Sequence, residues 1–157
     1  MRSDIVDAAT RSRMMAGIRG KDTKPEMIVR RGLHRRGFRF RLHDRSLPGR
    51  PDLILPRYHV AIFVHGCFWH GHDCPLFRWP RTREDFWRDK IGRNRERDRN
   101  AAERLQEAGW RILTIWECAF RGKTDADHDA TLNRAADWIA NGATGEAILR
   151  GELRGHC

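Results

Sequence analysis

The sequence predicts an α/β domain in which helices flank a mixed β-sheet, and three observations carry that expectation. The segments HVAIFVH (59–65) and WRILTIWE (110–117) are apolar and β-branched, as strands buried on both faces are. A long helical pattern from about Arg83 to Ala108 lies between them, which implies a crossover helix. DLIL (52–55) precedes HVAIFVH across the short link PRY, and the two are expected to pair as an antiparallel hairpin.

The elements follow in order. After nine polar residues, Thr10 is placed to cap a short helix through about Gly20, with Met14, Met15 and Ile18 on its apolar side. TKPE (23–26) has a threonine, a glutamate three positions on and a proline inside the first turn. It reads as a capping box opening a helix to about Arg36, before Gly37. FRFRLHD (38–44) alternates apolar and basic residues as a half-buried strand does, and SLPGRP (46–51) is a turn. The long helix stops at Gly109. A last helix, from about Asp127 to Ala140, points Leu132, Ala135, Ala136 and Ile139 inward, and the tail beyond it is Gly-rich and weakly patterned. No repeat, low-complexity block or second domain is visible in the 157 residues, a length that suits one core.

Charge indicates the partner. The formal net charge is +10, and of 31 basic residues only Lys21, Lys24, Lys90 and Lys123 are lysines. Arginine forks onto phosphates and guanine edges, so a nucleic acid is the leading expectation, against an arginine-rich but merely solvated surface. No apolar run reaches membrane-spanning length and no export signal is visible, so the chain is expected in the cytosol. In that reducing compartment, cysteines clustered beside histidines suggest a metal rather than disulfides.

Two constellations carry chemistry. Asp52 opens a hydrophobic strand directly after Pro51, where an ionised carboxylate is costly unless exposed, paired or bound to a cation. Magnesium favours sites with one or two carboxylates, and Glu26 is the candidate second, with a purely capping role equally open. In HGCFWHGHDC (65–74), Cys67, His72 and Cys74 fall within eight residues, and Cys118 follows the next strand. Three cysteines and a histidine suit a closed structural zinc site, with Asp73, His70, His65 and His59 as rival ligands. If His72 binds zinc, His65 and His70 remain near Asp52 for proton transfer.

Phe68 and Trp69 sit inside this polar loop, where burying both is hard to arrange, and Trp87 lies near the start of the long helix. Apolar side chains of this kind unstack faulty base pairs, so Phe68, Trp69 and Trp87 are candidate wedges. Phe86, Trp110 and Trp116 read as satellite core. RNRERDRNAAER (93–104) mixes acids with its arginines and is as much a solvated face as a DNA-binding one. RGKT (121–124) and the arginines at 30, 31, 35 and 36 are further phosphate-contact candidates.

Taken together, TRSRMM, KDTKPE, SLPGRPD, FVHGCFWHGHDC, DFWRDKIGRNRERD and GWRILTIWECAFRG resemble the very-short-patch-repair (Vsr) mismatch endonucleases over roughly residues 10 to 122. The resemblance implies a restriction-endonuclease-like fold of the PD-(D/E)XK type. It implies an enzyme that nicks the thymine-bearing strand 5′ of a T·G mismatch left by deamination of 5-methylcytosine. It further implies that Asp52 and the Val64 carbonyl bind catalytic magnesium, that His70 activates water, and that His65 and Glu26 share the active site. Cys67, His72, Cys74 and Cys118 match its zinc ligands, and Phe68, Trp69, Trp87 and Met14 its intercalating residues. Implied partners are T·G-mismatched duplex DNA, a cytosine-5 DNA methyltransferase and mismatch-repair proteins. A nucleoid-associated monomer suffices, since one strand is cut. The expected division is a DNA-contacting arm at 1–20, an endonuclease domain at 21–141 and a tail at 142–157.

The broader superfamily carries an acid and a lysine on the strand after the catalytic aspartate. Here that strand reads AIFVHG, which leaves histidine to carry the proton chemistry. The alternatives are a nicking or restriction-associated nuclease of other specificity, or a non-catalytic zinc-stabilised DNA-binding module. The latter would have no need of Asp52, His65 and His70 together.

Overall fold

The computed structural model describes residues 22–142 and 144–151. The expected N-terminal helix, with Met14, Met15 and Ile18, lies outside them, as does Cys157. The described chain runs α1 (Lys24–Arg35), β1 (Arg41–Leu42), β2 (Leu53–Leu55), β3 (Val60–His65), α2 (Glu84–Glu107), β4 (Arg111–Trp116), α3 (Asp125–Asn141) and β5 (Glu146–Leu149). A short 3₁₀ turn, Glu117–Ala119, follows β4. The strands form one mixed sheet in sequence order: β1, β2 and β3 are antiparallel, while β3–β4 and β4–β5 are parallel.

Strand alternation sorts the core into two layers. Leu53, Leu55, Val60, Ile62, Leu113 and Ile115 face Val29 and Leu33 of α1 and Leu132, Ala135 and Ile139 of α3. Ile54, Ala61, Phe63 and Ile112 face Leu105 of α2. The sheet is therefore covered on both sides, which is why β3 reads as an unbroken apolar run. No helix among the described residues is long and apolar enough to cross a membrane.

The helix ends show how local sequence sets the boundaries. Thr23 caps α1 by accepting from Glu26 N–H at 3.4 Å. The return bond to Glu26 comes from Asp22 N–H at 3.1 Å, one residue before the cap, so the expected box is only half formed. α2 ends as Gly109 takes a positive φ of 90°, which lets its N–H reach the Gln106 carbonyl and Trp110 N–H reach that of Leu105. α3 begins two residues earlier than its apolar pattern suggests, because Thr124 and Asp127 form a complete capping box.

Two strand expectations are corrected. FRFRLHD contributes only Arg41 and Leu42: Phe38 turns into the core and His43, at φ 49°, ends the strand. The weakly patterned tail supplies β5, whose Ala147 and Leu149 pack against the α1/α3 core. Four residues with two inward side chains leave little periodicity to read. Arg111 ties this end together by donating to the carbonyls of Tyr58, Trp138 and Ile139 at 2.7–3.2 Å.

Candidate active site and metal knuckle

Asp52 stands where the chain enters β2, its backbone N–H bonded to the Ile62 carbonyl at 2.9 Å. Its Oδ2 accepts from Val64 N–H at 2.7 Å. Burial pushes its pKa up to about 7; the Val64 N–H opposes the shift and the nearby Glu26 carboxylate adds to it. The N–H and C=O of one strand residue project to the same side, so the Val64 carbonyl faces the Asp52 edge as well.

Glu26 is buried, with 1% of its surface exposed, and both of its oxygens are engaged. Oε1 accepts from Asp22 N–H, and Oε2 lies 2.7 Å from His43 Nε2 and 3.6 Å from Arg30. Glu26 thus closes the start of α1, and its carboxyl group is near enough to Asp52 to add to the upward shift there. His43 was not singled out in the sequence, because it falls at the end of a segment read as strand.

His65 and His70 stack at 3.8 Å with their planes 6° apart. His70 Nδ1 lies 2.5 Å from Asp98 Oδ2 of α2. Nothing local marks Asp98, which within RNRERDRNAAER looks like one member of a solvated ion-pair face. Asn94 Nδ2, one turn earlier on α2, donates to the Trp69 carbonyl at 2.9 Å and holds the loop against the helix. His65 is driven well below the usual histidine pKa, first by burial and then by His70 and His72, so it is neutral. Its Nδ1 is buried without a hydrogen-bond partner among the described residues. One ligand atom from each of His65, His70 and Asp98 lies within 4.8 Å of the others. Two parallel rings aim their lone pairs in parallel, however, and do not converge on one ion. The arrangement fits proton handling better than metal binding.

The second cluster does converge. Donor atoms of Cys67, His72, Cys74 and Cys118 all lie within 4.8 Å of one another. His72 Nδ1 is 3.6 Å from both Cys67 Sγ and Cys118 Sγ. Tetrahedral zinc with ordinary Zn–S and Zn–N bonds separates its ligands by about 3.6 Å, so this donor set fits the ion. The Cys118 thiol is drawn down to about 5, chiefly by the Cys67 thiol, with Gly151 N–H and His72 adding to the shift against the opposing effect of burial. Of the rival ligands, His59 stacks on Trp110 at 4.1 Å, His65 and His70 group with Asp98, and exposed Asp73 lies 3.7 Å from the opposite ring nitrogen of His72, Nε2, and pairs with Arg150 at 2.7 Å. Trp116 separates the two centres, stacked on His72 at 3.9 Å and edge-on to His65 at 5.1 Å. It bridges two sites rather than joining a satellite core.

A family model described as DNA mismatch endonuclease Vsr matches residues 3–76, which take in α1, β1 to β3 and the knuckle through Cys74. The chain is 47% identical over 150 residues to DNA mismatch endonuclease Vsr of Escherichia coli, covering 95% of this chain and 96% of that protein. This chain belongs to the Vsr DNA mismatch endonuclease family. It is also 44% identical over 116 residues to the type II nicking enzyme V.XorIIP of Xanthomonas oryzae pv. oryzae, covering 74% of this chain and 85% of that one. Identity to the type II nicking enzyme V.NmeAIP of Neisseria meningitidis serogroup A is 40% over 121 residues, covering 77% and 86%.

In this Vsr family member one groove is lined by Asp52, His65, His70 and Asp98 and flanked by arginines from both walls, including Arg45, Arg50, Arg95 and Arg99. Arg121 of RGKT also lines it, whereas Arg30 and Arg36 are committed to partners within the fold. Arg31 and Arg35 are exposed but do not line the groove.

Phe68, Trp69 and Trp87 meet in one cluster with centroids 5.1–5.7 Å apart, joined by Phe77, Trp79 and Phe86. Two expectations change here. Trp69 is buried at 8% exposure, sandwiched within the cluster, although burial of both loop aromatics looked hard to arrange. Phe86 is 41% exposed and carries the Arg83 guanidinium over its ring, so it is not core.

Proposed function

We propose that this protein is a strand-nicking DNA endonuclease that cuts the thymine-bearing strand 5′ of a T·G mismatch by magnesium-dependent phosphodiester hydrolysis. The observation that carries this reading is the convergence of Asp52, His65, His70 and Asp98 in one arginine-walled groove. Family membership supports the mismatch as the lesion, and the sheet with helices on both faces agrees with a restriction-endonuclease-like fold.

In this reading Asp52 and the Val64 carbonyl hold the magnesium ion, a single carboxylate being within what that ion accepts. When bound, magnesium supplies positive charge to the scissile phosphate and the departing oxygen. His70 Nε2 takes the proton of the attacking water while Asp98 holds the Nδ1–H and steadies the imidazolium. Neutral His65 orients the His70 ring by stacking. Glu26 positions the Asp52 end of the groove through His43. Cys67, His72, Cys74 and Cys118 hold a structural zinc that fixes the loop bearing His70. Phe68 and Trp87 intercalate beside the mismatch with Trp69 behind them, and residues 1–20, Met14 among them, contribute further DNA contacts. The protein acts as a monomer in the nucleoid, alongside a cytosine-5 DNA methyltransferase and mismatch-repair proteins.

The test is a strand-specific nicking assay on end-labelled duplexes, one paired and one with a T·G mismatch, with magnesium or chelator. A magnesium-dependent cut 5′ of the thymine, lost in Asp52→Ala, is the expected result. Equal cutting of both duplexes sinks the mismatch specificity. The type II nicking relatives favour a second reading, in which the flanking sequence matters as much as the mismatch. Varying that sequence in the same assay separates the two.

A further inference from the structure

We infer that Arg150 and Gly151, at the exit of β5, form a clamp that holds the zinc knuckle closed, so that the C-terminal strand is a positioning element for the metal site. The inference rests on the zinc reading above.

The four candidate ligands come from two chain segments, the loop 67–74 and the turn after β4, and the clamp touches both. β5 runs parallel to β4 and delivers its exit to the sheet end where Cys118 leaves. Gly151 N–H donates to Cys118 Sγ at 3.4 Å. Arg150 forks onto Asp73, Nη1 to the side-chain Oδ1 at 2.7 Å and Nη2 to the backbone carbonyl at 2.9 Å. Asp73 lies between His72 and Cys74, so that fork fixes the two loop ligands on either side of it. A side chain at 151 is not tolerated in this arrangement. A Cβ there would lie 2.2 Å from the Cys118 carbonyl oxygen and 2.9 Å from its carbon, and a backbone group cannot swing aside. A hydrogen bond to a metal-bound thiolate both orients it and spreads its charge, and such outer contacts govern how firmly a metal is kept.

The test is zinc release from the full-length protein to a colorimetric chelator, with zinc content measured beforehand by elemental analysis. Gly151→Ala is expected to release zinc roughly ten-fold faster or more, and Arg150→Ala several-fold faster. Arg150→Ala combined with Asp73→Ala should release it no faster than Arg150→Ala alone. Cobalt in place of zinc gives a second readout: the thiolate charge-transfer band shifts in Gly151→Ala and stays in place in Ile148→Thr, an exposed position on the same strand. Zinc held by the wild type but lost at the wild-type rate from both Gly151→Ala and Arg150→Ala overturns the clamp alone. A wild type that retains no zinc overturns the metal reading and the clamp with it.

Discussion

His70 and Asp98, 28 residues apart in the chain, meet at 2.5 Å between Nδ1 and Oδ2. The loop supplies the ring, the long crossover helix supplies the carboxylate, and the bond occupies Nδ1 and leaves Nε2 as the other ring nitrogen.

Asp98→Asn replaces an acceptor-only carboxylate with a neutral amide whose NH2 can face Nδ1, so the charge is lost and the tautomer is no longer fixed. Single-turnover nicking should slow by about 100-fold or more, the scale of a positioned general base, while mismatch-DNA affinity by anisotropy stays within about three-fold. A rate within three-fold of wild type would place the pair outside the chemistry.

Asp52 yields a pH prediction. Its pKa rises from about 3.8 to about 7 on folding. Between those values the folded protein holds a proton that the unfolded chain releases. Its contribution to metal-free stability therefore falls as pH rises from about 4 to 7 and is flat above. In chelator, Asp52→Asn should melt at a higher temperature than wild type, with the gap opening over that window. Magnesium should narrow the gap at pH 8 by stabilising wild type only. A gap independent of pH would show that the carboxyl titrates normally.

Removing a knuckle ligand should cost folding as well as activity. Cys118→Ser or prolonged chelation is expected to lower the melting temperature by several degrees and to expose tryptophan fluorescence, since Trp116 stacks directly on His72. An unchanged melting curve for zinc-free protein would argue against a structural ion.

The aromatic cluster separates by burial. Trp69→Ala should destabilise by about 3 kcal/mol or more, as core truncations of large aromatics do. Phe86→Ala should stay within about 0.5 kcal/mol. Phe68→Ala and Trp87→Ala should instead weaken discrimination between mismatched and paired duplexes, measured by competition binding. Equal loss of affinity for both duplexes would deny them a wedge role.

Much of the molecule was legible from local chemistry alone. The apolar runs of β3 and β4, the helical interval between them, Thr23 at the start of α1 and Gly109 at the end of α2 fixed the mixed sheet and its crossover, because periodicity, capping and backbone freedom act within a few residues. The spacing of Cys67, His72 and Cys74 made a cluster of donor side chains legible, since a short loop alone brings those atoms together. Tertiary structure alone decided the rest. Asp98, hidden among alternating charges, became the partner of His70 because helix packing chose which face of α2 meets the loop. His43 met Glu26, and Trp69 was buried by neighbours remote in sequence. β5, too short to carry a pattern of its own, became a strand because the free edge of β4 offered it hydrogen bonds, which no stretch of the tail specifies by itself.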